Sequence, residues 1–306
     1  MDAISQAIDS AVIAIPSINH RLDEPMRNHT SFKIGGCARA VFFPDSAEDL
    51  TTLCSILYRY DVDPLVIGNG TNLLINDTPL DRFIVKTTSL DKITLADSTE
   101  IVAGAGVPLA KLAMFAYEKG LTGLEFAHGI PGTLGGAITM NAGAYGGEMK
   151  DCVLTTEVYS IGIGLKEVKG DAHEFSYRQS RFCNSSEIIL ASTIGLRKSD
   201  KADIRGKMED YASRRRESQP LDMPSAGSVF KRPNIDDVYA ASLIERACLK
   251  GYTVGGAQVS VKHSGFIVNV GGATFSDVTA VIDHVRETVF AMFGVDLKTE
   301  IKIIRD

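Results

Sequence analysis

The sequence predicts an α+β fold. Three observations carry this expectation. Stretches with apolar residues at helical spacing alternate irregularly with short strand-like runs, no strict βαβα rhythm organises them, and no repeat of 20 to 50 residues is visible. With 306 residues, 44% hydrophobic and 23% charged, the chain is globular in composition and long enough for two or three cored domains.

Taken in order, Ala40–Phe43 reads as a strand. Asp45-Ser46-Ala47-Glu48-Asp49 then offers a cap and first-turn carboxylates to a helix with Leu50, Leu53, Cys54 and Leu57 on one face. Strand-like runs follow at Pro64–Ile67, Asn72–Ile75, Phe83–Lys86 and Glu100–Ala103. Pro108 can open a helix striped by Leu109, Leu112, Ala113 and Ala116 and stopped by Gly120. Glu187–Ile194 is a further strand, and Asp203–Ser218 a charged helix with a thin seam of Ile204, Met208 and Tyr211. Gly265–Val270 and Glu300–Ile304 read as strands. Between them Ser276–Phe293 is the clearest helix, with Val278, Val281, Ile282, Val285, Val289 and Met292 in phase and Gly294 closing it. The charged stretch 198–218 is the best place for a domain boundary, because little apolar residue crosses it.

Composition excludes several functions. Lys+Arg 32 against Asp+Glu 38 gives a net charge of −6, with no basic footprint for nucleic acid or anionic lipid. Five cysteines with no Cys-x-x-Cys spacing make neither a disulfide framework nor a zinc site, and read as thiols in a reducing compartment. No apolar run approaches the roughly 18 residues a membrane span needs. The first fifteen residues carry Asp2 and Asp9 and no basic region, unlike a signal peptide. A cytoplasmic protein without metal is the expectation.

The glycines are clustered. Residues 120–147 hold 9 of the 28 glycines, including the run Gly129-Ile130-Pro131-Gly132-Thr133-Leu134-Gly135-Gly136. Asn141, Gly143, Ala144 and Tyr145 follow, and a second cluster is Gly68-Asn69-Gly70-Thr71-Asn72. Such segments are either tight turns or nests of backbone N–H groups around a phosphate. Two polar clusters together favour a phosphate-bearing ligand. Neither cluster makes a P-loop or a complete Rossmann fingerprint.

These residues carry a resemblance. Segments 28–36, 68–74, 129–137, 176–182, 225–231 and 262–269 are similar, in order, to the UDP-N-acetylenolpyruvoylglucosamine reductase family. These flavoenzymes make UDP-N-acetylmuramate for bacterial peptidoglycan, and so serve cell-wall biogenesis, cell shape and division. The resemblance covers nearly the whole chain. It implies an FAD-binding part of the FAD-linked oxidase (PCMH) type in two subdomains, residues 1–87 and 88–202. A smaller α+β substrate-binding domain, residues 203–306, would follow, its extreme C-terminus returning to the active site. FAD would be bound non-covalently, NADPH would reduce it, and UDP-N-acetylglucosamine-enolpyruvate would enter next. A hydride from flavin N5 to C3 and a proton to C2 would complete the reduction, in a monomer. The path from Lys231 to Gln258 is short, as in family members that lack an extra tyrosine-bearing loop.

The residues themselves bear on this chemistry to different degrees. Charge pushed onto the substrate carboxylate needs preorganised donors, and Arg178 can fork two N–H groups onto it, although alone it reads as a turn arginine. The resemblance assigns the proton donor to Ser228, which alone reads as a turn serine, and gives Glu300 a part in protonating or polarising the enol. By itself Glu300 is a carboxylate on an alternating strand flanked by Lys298 and Lys302. Tyr177, Lys231 and His263 are substrate-contact candidates. Ser218 stands where family members often carry a lysine. The alternatives are an FAD-linked oxidase of an alcohol or sugar, for which Ser228, Arg178 and Glu300 would be surplus, and a nucleotide-binding sensor.

Overall fold

The computed structural model describes residues 2–305. The chain forms two compact units that interleave along the sequence. The first is Met1–Asp23, Arg39–Asn69 and Arg82–Ser213; the second is Glu24–Ala38, Gly70–Asp81 and Arg214–Asp306. Three consecutive segments were the expectation. The difference has a packing cause: Phe32, Ile34 and Leu74, from the two early excursions, are buried in the same apolar cluster as Val229, Phe230, Val281 and Ile301.

The first unit holds two apolar clusters. One gathers helix α1 (Ala3–Ala14), helix α2 (Ala47–Arg59) and a four-stranded sheet ordered Asn19–Pro25, Cys37–Phe43, Leu80–Lys86, Leu65–Ile67. The Ser46 hydroxyl caps α2 by accepting from Asp49 N at 3.0 Å, and Leu50, Leu53, Cys54 and Leu57 are buried as their spacing predicts. The other cluster surrounds a five-stranded antiparallel sheet ordered Gly164–Lys169, Val153–Ser160, Glu187–Gly195, Glu100–Gly104, Ile93–Asp97. Helix α3 (Leu109–Glu118), the short α4 (Leu134–Thr139) and Ile204 and Met208 of α5 (Lys201–Ser218) belong with it.

Sequence periodicity misses α1, because Ala7 and Ala11 are its only fully buried residues. It also misses the hairpin 153–169. Thr156, fully buried in the sheet, places a polar residue where alternation calls for an apolar one.

In the second unit, α6 (Ala240–Arg246) and α7 (Phe275–Phe293) accompany a three-stranded sheet of Thr253–Val254, Ala257–Val259 and Ile267–Asn269. Helix α7 opens on a reciprocal Thr274–Asp277 capping box and closes on Gly294 at φ 68°. Its stripe is buried from Phe275 to Val289, but Met292 is exposed, one turn past the core. The last strand, Lys302–Ile304, pairs parallel with Leu73–Ile75. Among the described residues no helix is long and apolar enough to cross a membrane.

Candidate active site

In the first unit the glycine run 129–136 follows the 3-10 turn Glu125–Ala127 and enters α4. Three of its backbone N–H groups turn into the protein. Ile130 N donates to Ala127 O, Leu134 N to Val107 O at 2.9 Å, and Gly135 N to Ala105 O at 2.8 Å. Beside them stands a buried side chain. Thr133 is 2% exposed, yet its Oγ1 has no hydrogen-bond partner, and a Cβ placed on Gly68 would collide with that oxygen. A buried hydroxyl without a partner is costly unless a ligand supplies one. His128 Nδ1, five residues earlier, is a second buried atom without a partner. Glycine is required at 68 by this close approach and at 70 by its φ of 63°. Two orphaned polar atoms beside glycines that admit no side chain fit a cofactor with many acceptor oxygens, such as the pyrophosphate and ribityl chain of FAD. Gly68 and Asn69 from one segment and Gly129, Ile130, Pro131, Gly132, Thr133, Gly135 and Gly136 from the other would line it. Thr133 and His128 escape a reading of the sequence, since a threonine among glycines reads as a turn residue.

Asn141 has a different role. It is fully buried, its Nδ2 donates to Glu148 Oε2 at 3.0 Å and to Ser176 O at 2.9 Å, and its Oδ1 accepts from Lys150 N at 3.0 Å. Both amide hydrogens and the carbonyl are engaged within the protein. Asn141 therefore anchors the turn that carries Tyr177 and Arg178 instead of facing a ligand. Gly143 and Ala144 pair with Gly147 and Glu148 in a two-residue hairpin, and Gly143 O accepts from Arg178 Nη2 at 3.0 Å.

The Tyr177–Arg178 turn is closed by reciprocal bonds between Ser176 and Gln179, at 3.0 and 3.2 Å. Arg178 sits at φ 53°, a left-handed conformation that costs about 1–2 kcal/mol for a non-glycine residue. Its guanidinium carbon lies 5.2 Å from the Tyr177 ring centroid, and that ring is 46% exposed. Ser180 Oγ donates to Thr139 O at 2.8 Å on the far side of the turn.

On the near side lies fully buried His173. Its Nδ1 faces Gly170 O at 2.9 Å, so that nitrogen carries the hydrogen; Nε2 then accepts from the Thr156 hydroxyl at 2.9 Å, which itself accepts from Ser192 Oγ at 3.0 Å. With a neutral ring every donor in this chain has an acceptor. Burial, and secondarily the nearby Arg181 charge, hold His173 below its ordinary pKa, against the opposing Gly170 hydrogen bond.

The second unit brings together Ser228, Lys231, His263 and Glu300. Gly227 adopts φ 82° with open space around it, so backbone freedom and not crowding requires glycine before Ser228. Residues 228–231 then run between two neighbours. Ser228 bridges Phe266, with Val229 N donating to Gly265 O at 2.8 Å. On the other side Phe230 bridges Thr299, Glu300 N donates to Val229 O at 2.7 Å, and Lys231 N donates to Lys298 O at 2.8 Å. Ser228 and Glu300 thus share one backbone ladder, a single residue apart in register.

Glu300 is not on the alternating strand that the sequence suggests. The chain leaves the 228–231 ladder after Glu300 and joins Leu73–Ile75 only from Lys302, so the pleat that would align Lys298, Glu300 and Lys302 is interrupted between Glu300 and Lys302.

His263 Nδ1 accepts from Gly265 N at 3.1 Å, and burial lowers its pKa. Lys262 caps the end of α5 by donating from Nζ to Arg216 O at 2.6 Å. Ser218 Oγ likewise bonds Arg214 O at 2.7 Å. Asn72, from the shorter glycine segment, donates from Nδ2 to Glu300 O at 3.2 Å. Gly70 and Thr71 precede it, and Gly70 O accepts from Ser31 N at 3.2 Å.

Known proteins are similar to this chain over nearly its whole length. Residues 38–162 match the family model of an FAD binding domain, and residues 219–304 match that of the UDP-N-acetylenolpyruvoylglucosamine reductase C-terminal domain. The UDP-N-acetylenolpyruvoylglucosamine reductase of Caldanaerobacter subterraneus is 47% identical over 92% of this chain and 93% of its own length. That of Thermotoga maritima is 45% identical over 92% and 97%. A crystal structure of the Thermus caldophilus reductase superposes with a TM-score of 0.80 at 29% identity, covering 94% of this chain and 99% of that one. The fold is α+β with an FAD-binding part, and the chain is a flavin oxidoreductase. With whole-length identity at this level, the chain belongs to the UDP-N-acetylenolpyruvoylglucosamine reductase family.

Proposed function

We propose that the protein reduces the enolpyruvyl ether of UDP-N-acetylglucosamine-enolpyruvate to UDP-N-acetylmuramate in the cytoplasm, with NADPH as the electron source. The observation that carries the reading is the ladder in which Glu300 N bonds the carbonyl of the residue after Ser228. It sets the segment that carries Glu300 directly beside the segment that carries Ser228.

FAD, when bound and reduced by NADPH, supplies the hydride that adds at C3 of the double bond. The remaining work belongs to the side chains. Arg178, held by Gly143 O, pairs with the substrate carboxylate as negative charge spreads onto it. Ser228 Oγ delivers the proton to C2, and the Glu300 carboxyl polarises the enol from the neighbouring segment. Tyr177, Lys231 and His263 contact the substrate. Thr133, His128 and the glycines around them hold the cofactor. The path from Lys231 to Gln258 is occupied by α6 and part of a short strand pair, which supports the type without an added tyrosine loop.

Anaerobic absorption spectra test this reading. The flavin of the purified protein is expected to bleach with NADPH and return on addition of the enolpyruvyl nucleotide-sugar. A flavin that bleaches but returns only with air would overturn the assignment.

A further inference from the structure

Asn72 belongs to the glycine segment that the resemblance gives to the cofactor, yet two of its hydrogen bonds lead to the C-terminal segment. Its Nδ2 donates to Glu300 O at 3.2 Å, and its own carbonyl accepts from Lys302 N at 2.9 Å. These two bonds bracket Ile301, which is 3% exposed and packed in the core that also contains Leu74. The third bond of the set joins Glu300 N to Val229 O at 2.7 Å. Both backbone polar groups of Glu300 are therefore tied, one to the segment that carries Ser228 and the other to Asn72.

The need for Asn72 follows from the path of the chain. Glu300 lies where the backbone changes partner, from the bridge at Thr299 to the parallel pairing that starts at Lys302. A regular ladder would give the Glu300 carbonyl a backbone donor. At this switch the donor on that carbonyl is a side-chain amide, the one from Asn72. An amide is well suited to this position. It donates at every pH, which a carboxylate of the same shape does not. Displacement of a reacting carboxyl by about 1 Å is enough to slow a chemical step about a hundredfold.

We propose that Asn72 is a positioning residue for the reduction of the enolpyruvyl substrate, acting through Glu300 by fixing the peptide that aims its carboxyl. The proposal rests on the reading of Glu300 given above, and the test separates the two.

Stopped-flow absorbance on the holoenzyme resolves flavin reduction by NADPH from flavin reoxidation by UDP-N-acetylglucosamine-enolpyruvate. Asn72→Ala is expected to keep its FAD and its reduction rate within about twofold, and to slow reoxidation about 10- to 100-fold. The fall should lie in the limiting rate and not in the substrate concentration needed for half of it. Asn72→Asp preserves shape without the donor, so it should be at least as slow and serves if the alanine variant folds poorly. In Glu300→Gln the further change Asn72→Ala should cost nothing more. Loss of FAD, equal damage to both half-reactions, or additive damage on top of Glu300→Gln would each overturn the role of Asn72. If Glu300→Gln alone leaves reoxidation unchanged, the reading of Glu300 is the part that fails, and the proposal falls with it.

Discussion

Arg178 stores backbone strain at φ 53° while its turn is tied down by Asn141, and strain kept in place by surrounding bonds is typical of functional positions. Replacing it by alanine is expected to slow reoxidation by substrate about 10²–10³-fold, with reduction by NADPH nearly unchanged, in single-turnover kinetics. Arg178→Lys should recover only part of the loss, since an ammonium keeps the charge but not the fork. Ser228→Ala should spare the NADPH half-reaction and cripple the other; equal damage to both would remove Ser228 from the proton-donor role. Thr133 makes a prediction of two signs. Thr133→Val keeps the shape but removes the orphaned hydroxyl, so the apoprotein should gain about 1 kcal/mol in urea unfolding. Titration of the same variant should show FAD binding about tenfold weaker, because the partner that satisfies the hydroxyl is the cofactor. Of these residues, Arg178 and Ser228 are legible through the family motifs. Thr133 is not, because residue type and spacing say nothing about whether a hydroxyl finds a partner.

Elements built on apolar periodicity are the most legible. The stripes of α2, α3 and most of α7 are buried as their spacing predicts, since a helix must turn its apolar side to a core. The five-stranded sheet is the least legible, because Thr156 and Ser192 occupy buried positions for the sake of His173. That relay props the segment leading to Arg178 and makes the fold sensitive to acid. The folded pKa of His173 lies below the ordinary 6.5, so between the two values the unfolded chain takes up a proton that the native ring refuses. Its contribution to stability is complete above pH 6.5 and is lost as pH falls toward the folded value, by at most about 1.4 kcal/mol per pH unit. Urea midpoints of the wild type should therefore drop between about pH 7.5 and 5.5 by more than those of His173→Phe. Equal slopes for the two proteins would show that the ring is not the titrating group.

At the scale of the molecule, the second unit is completed by two early excursions of the chain, residues 24–38 and 70–81, far from residues 214–306 in sequence. Phe32, Ile34 and Leu74 are buried in its core, and its last strand pairs with Leu73–Ile75. A fragment of residues 214–306 alone is therefore expected to lack a cooperative thermal transition in circular dichroism. Adding residues 24–38 and 70–81 through linkers should restore one. A cooperative transition in the short fragment would show that the excursions are dispensable. The sequence by itself determined the fold class, the amphipathic helices, the glycine segments and, through its motifs, the family, because each of these is written in local spacing or in residue identity. The tertiary structure decided that the units interleave, that the glycine-run amides at Ile130, Leu134 and Gly135 turn into the protein and leave Thr133, and that Asn141 and Asn72 serve the protein's own backbone. These are questions of which buried polar group meets which partner, and the answer depends on chain segments far apart in sequence, which no local pattern records.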